Sequence, residues 1–300
     1  MNYQAINHQA INHQAMNHQD SATTERKPLA VIKVGGDILL DKIQSSGLAQ
    51  NISGLIKDNW NVVVLHGGGP QLSAMQSRCG IEPRKVAGRR ITSEEDLVLV
   101  KQVLCGQVNV DLVSLMQAQG VNAFGCHGAS GNLIQAKRRP PITVSGGGPE
   151  AIDFGEVGDV TRINSQLLDS LLAADLVPII ASLGMDPSGA VFNINADTTV
   201  VQIARAMSAE LLIFVTGIGG IFRDIKDPSS RFADLDAAAA KKHIKSGVIV
   251  GGMIPKVEEA LSLLESGVGT IAIVDAGQAK AFGSIASGQA EFGTLIRNSY

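Results

Sequence analysis

Short apolar runs recur along the chain and alternate with longer stretches whose apolar residues repeat at helical spacing. The short runs are rich in Val, Ile and Leu and carry almost no polar residues, which is the pattern of strands buried on both faces. Their alternation with amphipathic segments predicts a parallel sheet with helices on both sides. The predicted fold class is therefore α/β, a three-layer αβα sandwich with a mostly parallel central sheet.

The individual elements follow from the same periodicity and from glycine, proline and capping residues at their ends. The segments predicted as strands are LAVIKV, NVVVLH, VNAFGCHG, VPIIAS, ELLIFV, TIAIVDA and TLIRN. The segments predicted as helices are 38–58, QLSAMQSRCG, 93–120 with Ser93 or Thr92 as the cap and a break allowed at Gly106, ADTTVVQIARAMSA, 237–245 and MIPKVEEALSLLESG. The Pro- and Gly-rich segment 137–164 is predicted to form a hairpin on the surface.

Two glycine-rich loops follow predicted strands and precede predicted helices. They are Lys33–Gly36 and His66–Pro70. Glycine lets backbone N–H groups approach a ligand closely, and a helix that starts next to such a loop adds the positive end of its dipole. A phosphate site is the functional interpretation, and tight strand-to-helix turns are the alternative. Neither loop has the Walker A spacing or a complete GxGxxG motif.

Two lysines stand where a positive charge needs an explanation. Lys33 lies near the end of an apolar strand, where an unpaired ammonium group is costly to bury. Lys256 opens a predicted helix, where a cation opposes the helix dipole unless an anion binds there. The alternative for each is a surface lysine whose aliphatic stem packs on the protein. Asp197 precedes another helix, and either Asp197 or Asn195 can be interpreted as only a helix cap.

Composition excludes several classes of partner. The 300 residues carry a formal net charge of −3 and are 45% hydrophobic, so there is no electrostatic argument for nucleic acid or membrane binding. The cysteines Cys79, Cys105 and Cys126 form no zinc or CxxC pattern, and no metal site is predicted. No apolar run reaches the roughly 20 residues that span a bilayer. We expect a cytoplasmic protein.

The first 28 residues differ from the rest of the chain. They contain a polar five-residue repeat, YQAINHQAINHQAMNHQD, and are predicted to be a disordered low-complexity tail. Its histidines do not share a helical face, because five residues at about 100° each do not return to the same side. Residues 29–300 are predicted to form the folded domain.

Five motifs, in this order along the chain, resemble those of the amino acid kinase family. They are Lys33–Gly36, His66–Pro70, Gly88–Thr92, Asn193–Asp197 and Gly251–Lys256. The resemblance implies the fold of that family and, within it, the enzymes that use ATP to phosphorylate the side-chain carboxylate of N-acetyl-L-glutamate in arginine biosynthesis. It also implies ATP with Mg²⁺ as the nucleotide complex, small-molecule substrates and a homodimer.

The resemblance assigns a role to individual positions. The catalytic residues it implies are Lys33 and Lys256, which contact the transferring phosphoryl group, and Asp197, which holds both lysines. The substrate-binding residues it implies are Gly68, Gly69, Arg90 for the α-carboxylate and Asn193 for the acetylamino group. The phosphate- and nucleotide-binding residues it implies are Gly35, Gly36, Gly217, Ile218, Gly219, Gly220, Ile221, Phe222, Val248 and Val250, and Gly68 also donates to the phosphoryl oxygens. The resemblance also implies two lobes. The substrate-binding and dimerisation lobe spans about residues 29–182, and the nucleotide-binding lobe spans about residues 183–300.

Chemistry agrees with this assignment. A glutamyl carboxylate has a pKa of about 4.3 and needs no general base at neutral pH, so His66 is predicted to be structural. The chain departs from the family pattern at Gly217, where an acidic residue is usual, and in the loop Cys126–Gly131. The alternatives left open are a kinase of an aminoadipate derivative or of a free acidic amino acid, and a non-catalytic sensor of amino acids.

Overall fold

The computed structural model describes residues 26–144, 146–249, 254, 257–258, 261, 264 and 269–297. The strands are β1 (Leu29–Val34), β2 (Asn61–His66), β3 (Lys85–Val86), β4 (Arg89–Arg90), β5 (Ala123–His127), β6 (Ile134–Arg138), β7 (Val157–Ile163), β8 (Val177–Ala181), β9 (Leu183–Met185), β10 (Val191–Ile194), β11 (Leu211–Val215), β12 (Asp234–Asp236), β13 (Thr270–Val274) and β14 (Gly293–Arg297). The helices are α1 (Gly36–Leu40), α2 (Lys42–Lys57), α3 (Gly69–Arg78), α4 (Glu94–Val100), α5 (Asn109–Ala118), α6 (Ser165–Ala173), α7 (Ala196–Ala206), α8 (Ala237–Lys245) and α9 (Ala281–Ala286). Most of the helix predicted from Met253 lies outside the described residues.

An eight-stranded sheet has the strand order β12-β14-β13-β11-β1-β2-β8-β5. All neighbouring pairs are parallel except β13 with β14. Strand β1 lies between β2 and β11, and Val34 pairs with His66 on one side and with Val215 on the other. The loops that follow these three strands therefore start side by side at the carboxyl ends of the strands, which is where ligands bind in such folds.

Alternate residues of β1 enter separate apolar clusters on the two faces of the sheet. Leu29 and Val31 pack with α7 residues on one face, and Ala30 and Ile32 pack with α2 and α5 residues on the other. This is the period-two pattern of a strand covered on both sides. The predicted three-layer α/β architecture with a mostly parallel sheet is confirmed.

A second, smaller β structure was not predicted. Strands β6, β7, β9 and β10 close into a barrel. Closure requires glycine where strands cross closely, because a methyl group at Gly158 would lie 2.7 Å from Phe192 Cβ and one at Gly184 would lie 2.6 Å from Ala136 Cβ. Barrel strands come from both sides of the lobe boundary placed near residue 182, so the barrel joins the two halves of the chain.

The segment 137–164 is only partly the surface hairpin that its composition predicts. Ile142 and Ile152 do pair antiparallel, as in a hairpin. Its last part, however, is β7, which is a barrel strand rather than a surface ribbon. The three prolines and five glycines of the segment obscure the strand pattern at its end.

One long helix runs over Glu94–Ala118, with a π-helical segment at Lys101–Val108 between α4 and α5. The predicted cap is confirmed: Ser93 Oγ accepts from Asp96 N at 3.1 Å, and the Asp96 carboxylate accepts from Ser93 N at 2.9 Å. Gly106 does not break the helix. It lies within the π-helical segment, where the turns are wider but the helix continues. Within the described residues this helix alone is long and apolar enough to cross a membrane, and here it packs against α2, α3 and β5.

The helix predicted over 38–58 is two helices. Asp41 separates α1 from α2 and caps the second, because its Oδ1 accepts from Ile43 N at 2.8 Å and from Gln44 N at 3.0 Å. A short acidic side chain at a helix start is a strong capping signal. The apolar periodicity continues across this position and hides the break.

Candidate active site

The two predicted glycine loops meet at the carboxyl ends of the neighbouring strands β1 and β2. A methyl group built on Gly36 would lie 3.0 Å from Gly68 Cα, so the two backbones almost touch. Gly67 N donates to Val34 O at 3.0 Å and ties the second loop to the end of β1. Helix α3 begins at Gly69, within the second loop, so its unpaired N–H groups and positive dipole end lie at this surface. The arrangement suits an anionic ligand.

An ion pair lies beside these loops. Lys33 Nζ is 2.8 Å from Asp197 Oδ1, although the two residues are far apart in the chain. The Lys33 side chain is 18% exposed and that of Asp197 is 39% exposed, so the pair is accessible from solvent. A methyl group on Gly67 would lie 3.9 Å from Ala196 Cβ, which places the start of α7 next to the second glycine loop. The loops, the ammonium group and the carboxylate therefore form one site.

The structure separates the two interpretations of the segment before α7. Asn195 is the helix cap, because its Oδ1 accepts from Thr198 N at 3.0 Å. Asp197 lies in the first turn and directs its carboxylate at Lys33 instead. The capping role therefore belongs to Asn195, and the carboxylate of Asp197 remains available to the site.

Arg90 lies against α3 on the side of the second glycine loop. Its Nη2 donates to Gly69 O at 3.2 Å and to Ser73 Oγ at 2.7 Å, and its Nη1 donates to Gln76 Oε1. Burial lowers the pKa of the Arg90 guanidinium, and the nearby Asp96 carboxylate acts in the opposite direction. Arginine stays protonated in proteins despite such shifts. The site therefore holds a fixed positive charge at the rim of the glycine loop.

Asn193 is connected to the same region through Thr92. Asn193 Nδ2 donates to Thr92 Oγ1 at 3.0 Å. Thr92 is buried, and its backbone is held by Phe154 O and Glu156 N. Since the amide nitrogen of Asn193 is directed at Thr92, its oxygen is the atom that can accept a hydrogen bond from a ligand.

The predicted nucleotide loop Gly217–Phe222 follows β11, next to β1. Gly219 has φ of 71°, and a methyl group on it would lie 2.5 Å from Asp275 Cβ, so this turn requires glycine. Ile221 N donates to Thr294 Oγ1 at 2.9 Å and anchors the end of the loop. A methyl group at Gly217 would meet no atom within 4 Å, so the loop leaves room for the acidic residue that is usual there.

The remaining predicted residues are in the last third of the chain. Val248 follows α8, and its N–H donates to His243 O at 3.0 Å. Val250 and Lys256 lie outside the described residues. Among the residues that the structure does describe, no three His, Cys, Asp or Glu side chains are grouped closely enough to hold a metal ion.

Comparison with known proteins identifies the family. The sequence profile of the amino acid kinase family matches residues 28–275. This chain belongs to the amino acid kinase family. Two relatives are the acetylglutamate kinases of Anaeromyxobacter dehalogenans, 45% identical over 81% of this chain and 90% of the relative, and of Clostridium acetobutylicum, 39% identical over 82% of each.

Solved structures agree on the fold. N-acetylglutamate synthase from Neisseria gonorrhoeae superposes with a TM-score of 0.72 at 23% identity, covering 91% of this chain and 60% of that one. Carbamate kinase from Giardia lamblia superposes with a TM-score of 0.63 at 16% identity, covering 91% of this chain and 99% of that one. At these identities the likeness establishes the amino acid kinase fold only.

His66 has a structural role in this amino acid kinase, as predicted from a reaction that needs no general base. It is fully buried, with Nδ1 2.8 Å from Gly67 O and Nε2 2.9 Å from Asn109 Nδ2. Because an amide nitrogen only donates, Nε2 accepts and Nδ1 carries the proton. Burial lowers the pKa of His66 to about 4, so the ring is neutral at neutral pH and holds the second glycine loop in place.

This buried neutral histidine predicts a loss of stability in acid. The folded pKa of about 4 lies below the ordinary value of 6.5, so the unfolded chain binds the extra proton between these pH values. The contribution of neutral His66 to the unfolding free energy is therefore fully present above pH 6.5, and it is lost as the pH decreases towards 4. Wild type should lose roughly 2 kcal/mol of unfolding free energy between pH 7.5 and pH 5 from His66 alone. Urea titrations of wild type and His66→Gln measure this loss, and equal losses in both proteins would contradict it.

Several residues that contact the predicted site residues were not predicted from the sequence. Gln71 Nε2 donates to Gly36 O at 2.7 Å and so joins the two glycine loops. Gln76 and Asp96 are almost fully buried behind Arg90. The pattern Ser93-x-x-Asp96 is a capping-box signature that could have identified Asp96. No comparable signal identifies the two glutamines, because a glutamine on an amphipathic helix is normally exposed.

Proposed function

We propose that this kinase transfers the γ-phosphoryl group of ATP to the side-chain carboxylate of N-acetyl-L-glutamate and forms an acyl phosphate in arginine biosynthesis. The observation that carries the proposal is the Lys33–Asp197 pair, at 2.8 Å, beside the two apposed glycine loops. Relatives named acetylglutamate kinase are 37–45% identical over most of the chain. They favour N-acetylglutamate over an aminoadipate derivative or a free amino acid, and they favour turnover over sensing.

The proposed reaction is an in-line displacement at phosphorus. A carboxylate oxygen of the substrate forms a bond to the γ-phosphorus, the bond to the β,γ-bridging oxygen breaks, and ADP leaves. The nucleophile is already ionised at neutral pH, so no general base is needed. Catalysis therefore depends on positioning and on neutralising the charge that builds up between two anions.

We assign that neutralisation to four groups. The ammonium group of Lys33 and that of Lys256 contact the phosphoryl oxygens, and the backbone N–H groups of Gly36 and Gly68 donate to them. Asp197 orients Lys33 through the ion pair and is proposed to orient Lys256 in the same way. The pair supports this role because a lysine held in one geometry loses little entropy when the transition state forms.

We assign the substrate to the rim of the second glycine loop. Arg90 receives the α-carboxylate, which suits a fixed guanidinium that lies beside Gly69 O. The Asn193 oxygen receives the N–H of the acetylamino group, and its orientation by Thr92 supports this assignment. Gly68 and Gly69 line the space between them. A free α-ammonium group would instead require a carboxylate partner.

We assign the nucleotide to the loops after β11 and α8. ATP would lie along Gly217–Phe222 and Val248–Val250, with its phosphates reaching Gly35 and Gly36 at the adjacent end of β1. Mg²⁺ would arrive on the phosphate oxygens as part of the nucleotide substrate. Gly217 lacks the carboxylate usual at this position, so we expect it to affect nucleotide affinity rather than the class of reaction.

We further propose a cytoplasmic homodimer that uses the first lobe. Edge strand β5 carries Phe124, which is 41% exposed, and the adjacent α5 carries Val110, which is 60% exposed. Exposed apolar side chains next to an unpaired strand edge support contact with another chain. Light scattering of the purified protein measures the assembly size.

The experiment that tests the function is an ATP-dependent hydroxamate assay. Hydroxylamine traps acyl phosphates, and N-acetylglutamate, glutamate, aspartate and N-acetylaminoadipate are compared under one set of conditions. N-acetylglutamate should give the highest kcat/KM, by at least about tenfold over glutamate and aspartate, because these lack the acetylamino group and leave the Asn193 oxygen without its partner at a cost of more than about 1 kcal/mol. Equal rates with glutamate, or no trapped product, would overturn the proposal.

A further inference from the structure

Two buried polar side chains, one from α3 and one from α4, continue the hydrogen bonds of Arg90 into the protein interior. Gln76 of α3 is fully buried, and Asp96 of α4 is 3% exposed. Gln76 Nε2 donates to Asp96 Oδ1 at 2.5 Å, and Gln76 Oε1 accepts from Arg90 Nη1. The other oxygen of Asp96 accepts from Ser93 N and Ser93 Oγ, each at 2.9 Å. The four residues form a continuous chain of hydrogen bonds from the start of α4 to the guanidinium.

The carboxylate determines which end of the Gln76 amide faces Arg90. An ionised carboxylate only accepts hydrogen bonds, whereas an amide has one donating and one accepting end. Asp96 therefore takes the NH₂ group and leaves the carbonyl oxygen for the guanidinium. Burial opposes ionisation of Asp96, but hydrogen bonds from the Ser93 backbone and from Gln76 keep its pKa below the ordinary value. The orientation of the amide is thus maintained at neutral pH.

The positive charge of Arg90 is held without being neutralised by direct contact. Its three acceptors are neutral oxygens, on Gly69, Ser73 and Gln76. Within the described part of the chain, no carboxylate oxygen lies within 4 Å of its side-chain nitrogens. A carboxylate in direct contact would compete with a ligand carboxylate for the same donors. Because Gln76 lies between Asp96 and Arg90, the carboxylate does not contact the guanidinium, and the positive charge of Arg90 remains available to a ligand.

We propose that Gln76 and Asp96 are positioning residues that fix the direction and the free charge of Arg90 for recognition of the substrate's α-carboxylate. The inference rests on the proposed role of Arg90 in binding that group. It extends that role to specificity: the network selects an acid with a free α-carboxylate over the corresponding α-carboxamide, because only the carboxylate matches an uncompensated guanidinium.

The test compares Gln76→Met, Arg90→Ala and the double variant with wild type. Methionine keeps the length of glutamine and removes both hydrogen bonds. Steady-state kinetics are measured with N-acetylglutamate and with its α-carboxamide, which retains the side-chain carboxylate that reacts. Gln117→Met is the matched control, because it makes the same change at a glutamine of α5 that is not part of this network and whose Nε2 donates to Ala123 O at 3.1 Å.

Gln76→Met should raise KM for N-acetylglutamate about tenfold, the effect of losing one hydrogen bond to a charged group. KM for ATP should change less than about twofold, and kcat/KM for the α-carboxamide should stay within about twofold. In the Arg90→Ala background the same substitution should have no further effect on KM, since the two residues act through one contact. Gln117→Met should leave KM for N-acetylglutamate unchanged.

Equal losses with the acid and its carboxamide, or an undiminished effect in the Arg90→Ala background, would show a merely structural role and overturn the inference. An unchanged KM in Gln76→Met alongside a raised KM in Arg90→Ala would overturn the inference while leaving the proposed function intact. An unchanged KM in Arg90→Ala would overturn the assignment of Arg90 to the substrate, and the inference with it.

Discussion

Replacing Lys33 by alanine should lower kcat by about two to three orders of magnitude, with KM for N-acetylglutamate changed by less than about threefold. The ammonium group lies 2.8 Å from Asp197 and is proposed to stabilise charge that appears on the phosphoryl oxygens only in the transition state. Loss of such a group affects kcat more than substrate binding. The measurement is steady-state hydroxamate formation at saturating ATP.

A matched control is Lys57→Ala, because Lys57 is exposed at the end of α2. It should retain full activity, since isolated exposed charges contribute little. Thermal unfolding should give similar melting temperatures for the two variants, which shows that both are folded. Lys256→Ala is expected to reproduce the loss in kcat. If either the Lys33 or the Lys256 variant turned over normally, the proposed contact of that lysine with the phosphoryl group would be wrong.

Gly36→Ala should lower kcat/KM by more than about a hundredfold. The added methyl group would lie 2.3 Å from Gln71 Oε1 and 3.0 Å from both Gly68 Cα and Pro70 Cδ. Two of these neighbours belong to the second glycine loop, so relief of the clash must separate the two loops. Displacement of catalytic groups by about 1 Å is enough for losses of this size.

The control for this substitution is Gly54→Ala, where the methyl group meets no atom within 4 Å. Gly54 lies inside α2, so alanine should stabilise the protein by up to about 1 kcal/mol and leave the kinetics unchanged. Kinetics and thermal unfolding are measured on both variants. If Gly36→Ala retained wild-type kcat/KM, close apposition of the two loops would not be needed for activity.

The central sheet could be predicted from the sequence because its strands are buried on both faces. Segments such as Leu29–Val34 and Asn61–His66 are apolar apart from Lys33, Asn61 and His66, and a glycine follows each of them. The small barrel could not be predicted in the same way. Two of its strands contain glycines, Gly158 in β7 and Gly184 in β9, which are needed for close packing but are typical of turns when only the sequence is considered.

The site was predictable where a residue conflicts with its local context. A lysine at the end of an apolar strand requires a partner, and the structure supplies Asp197. The local sequence could not separate Asp197 from Asn195, because both residue types cap helices and only the tertiary fold shows which one does. Gln76 and Asp96 gave no such conflict, since polar residues on amphipathic helices are ordinary until the helices pack together.

In the proposed reaction, a substrate carboxylate attacks the γ-phosphorus of ATP at the Lys33–Asp197 site. The most direct measurement uses N-acetylglutamate with ¹⁸O in both side-chain carboxylate oxygens, trapped with hydroxylamine during turnover. Hydroxylamine attacks the carbonyl carbon, so the released phosphate keeps the oxygen that bridged carbon and phosphorus. Mass spectrometry should find one ¹⁸O atom in each phosphate released. Unlabelled phosphate would mean that water had attacked the nucleotide, and would contradict attack by the substrate carboxylate.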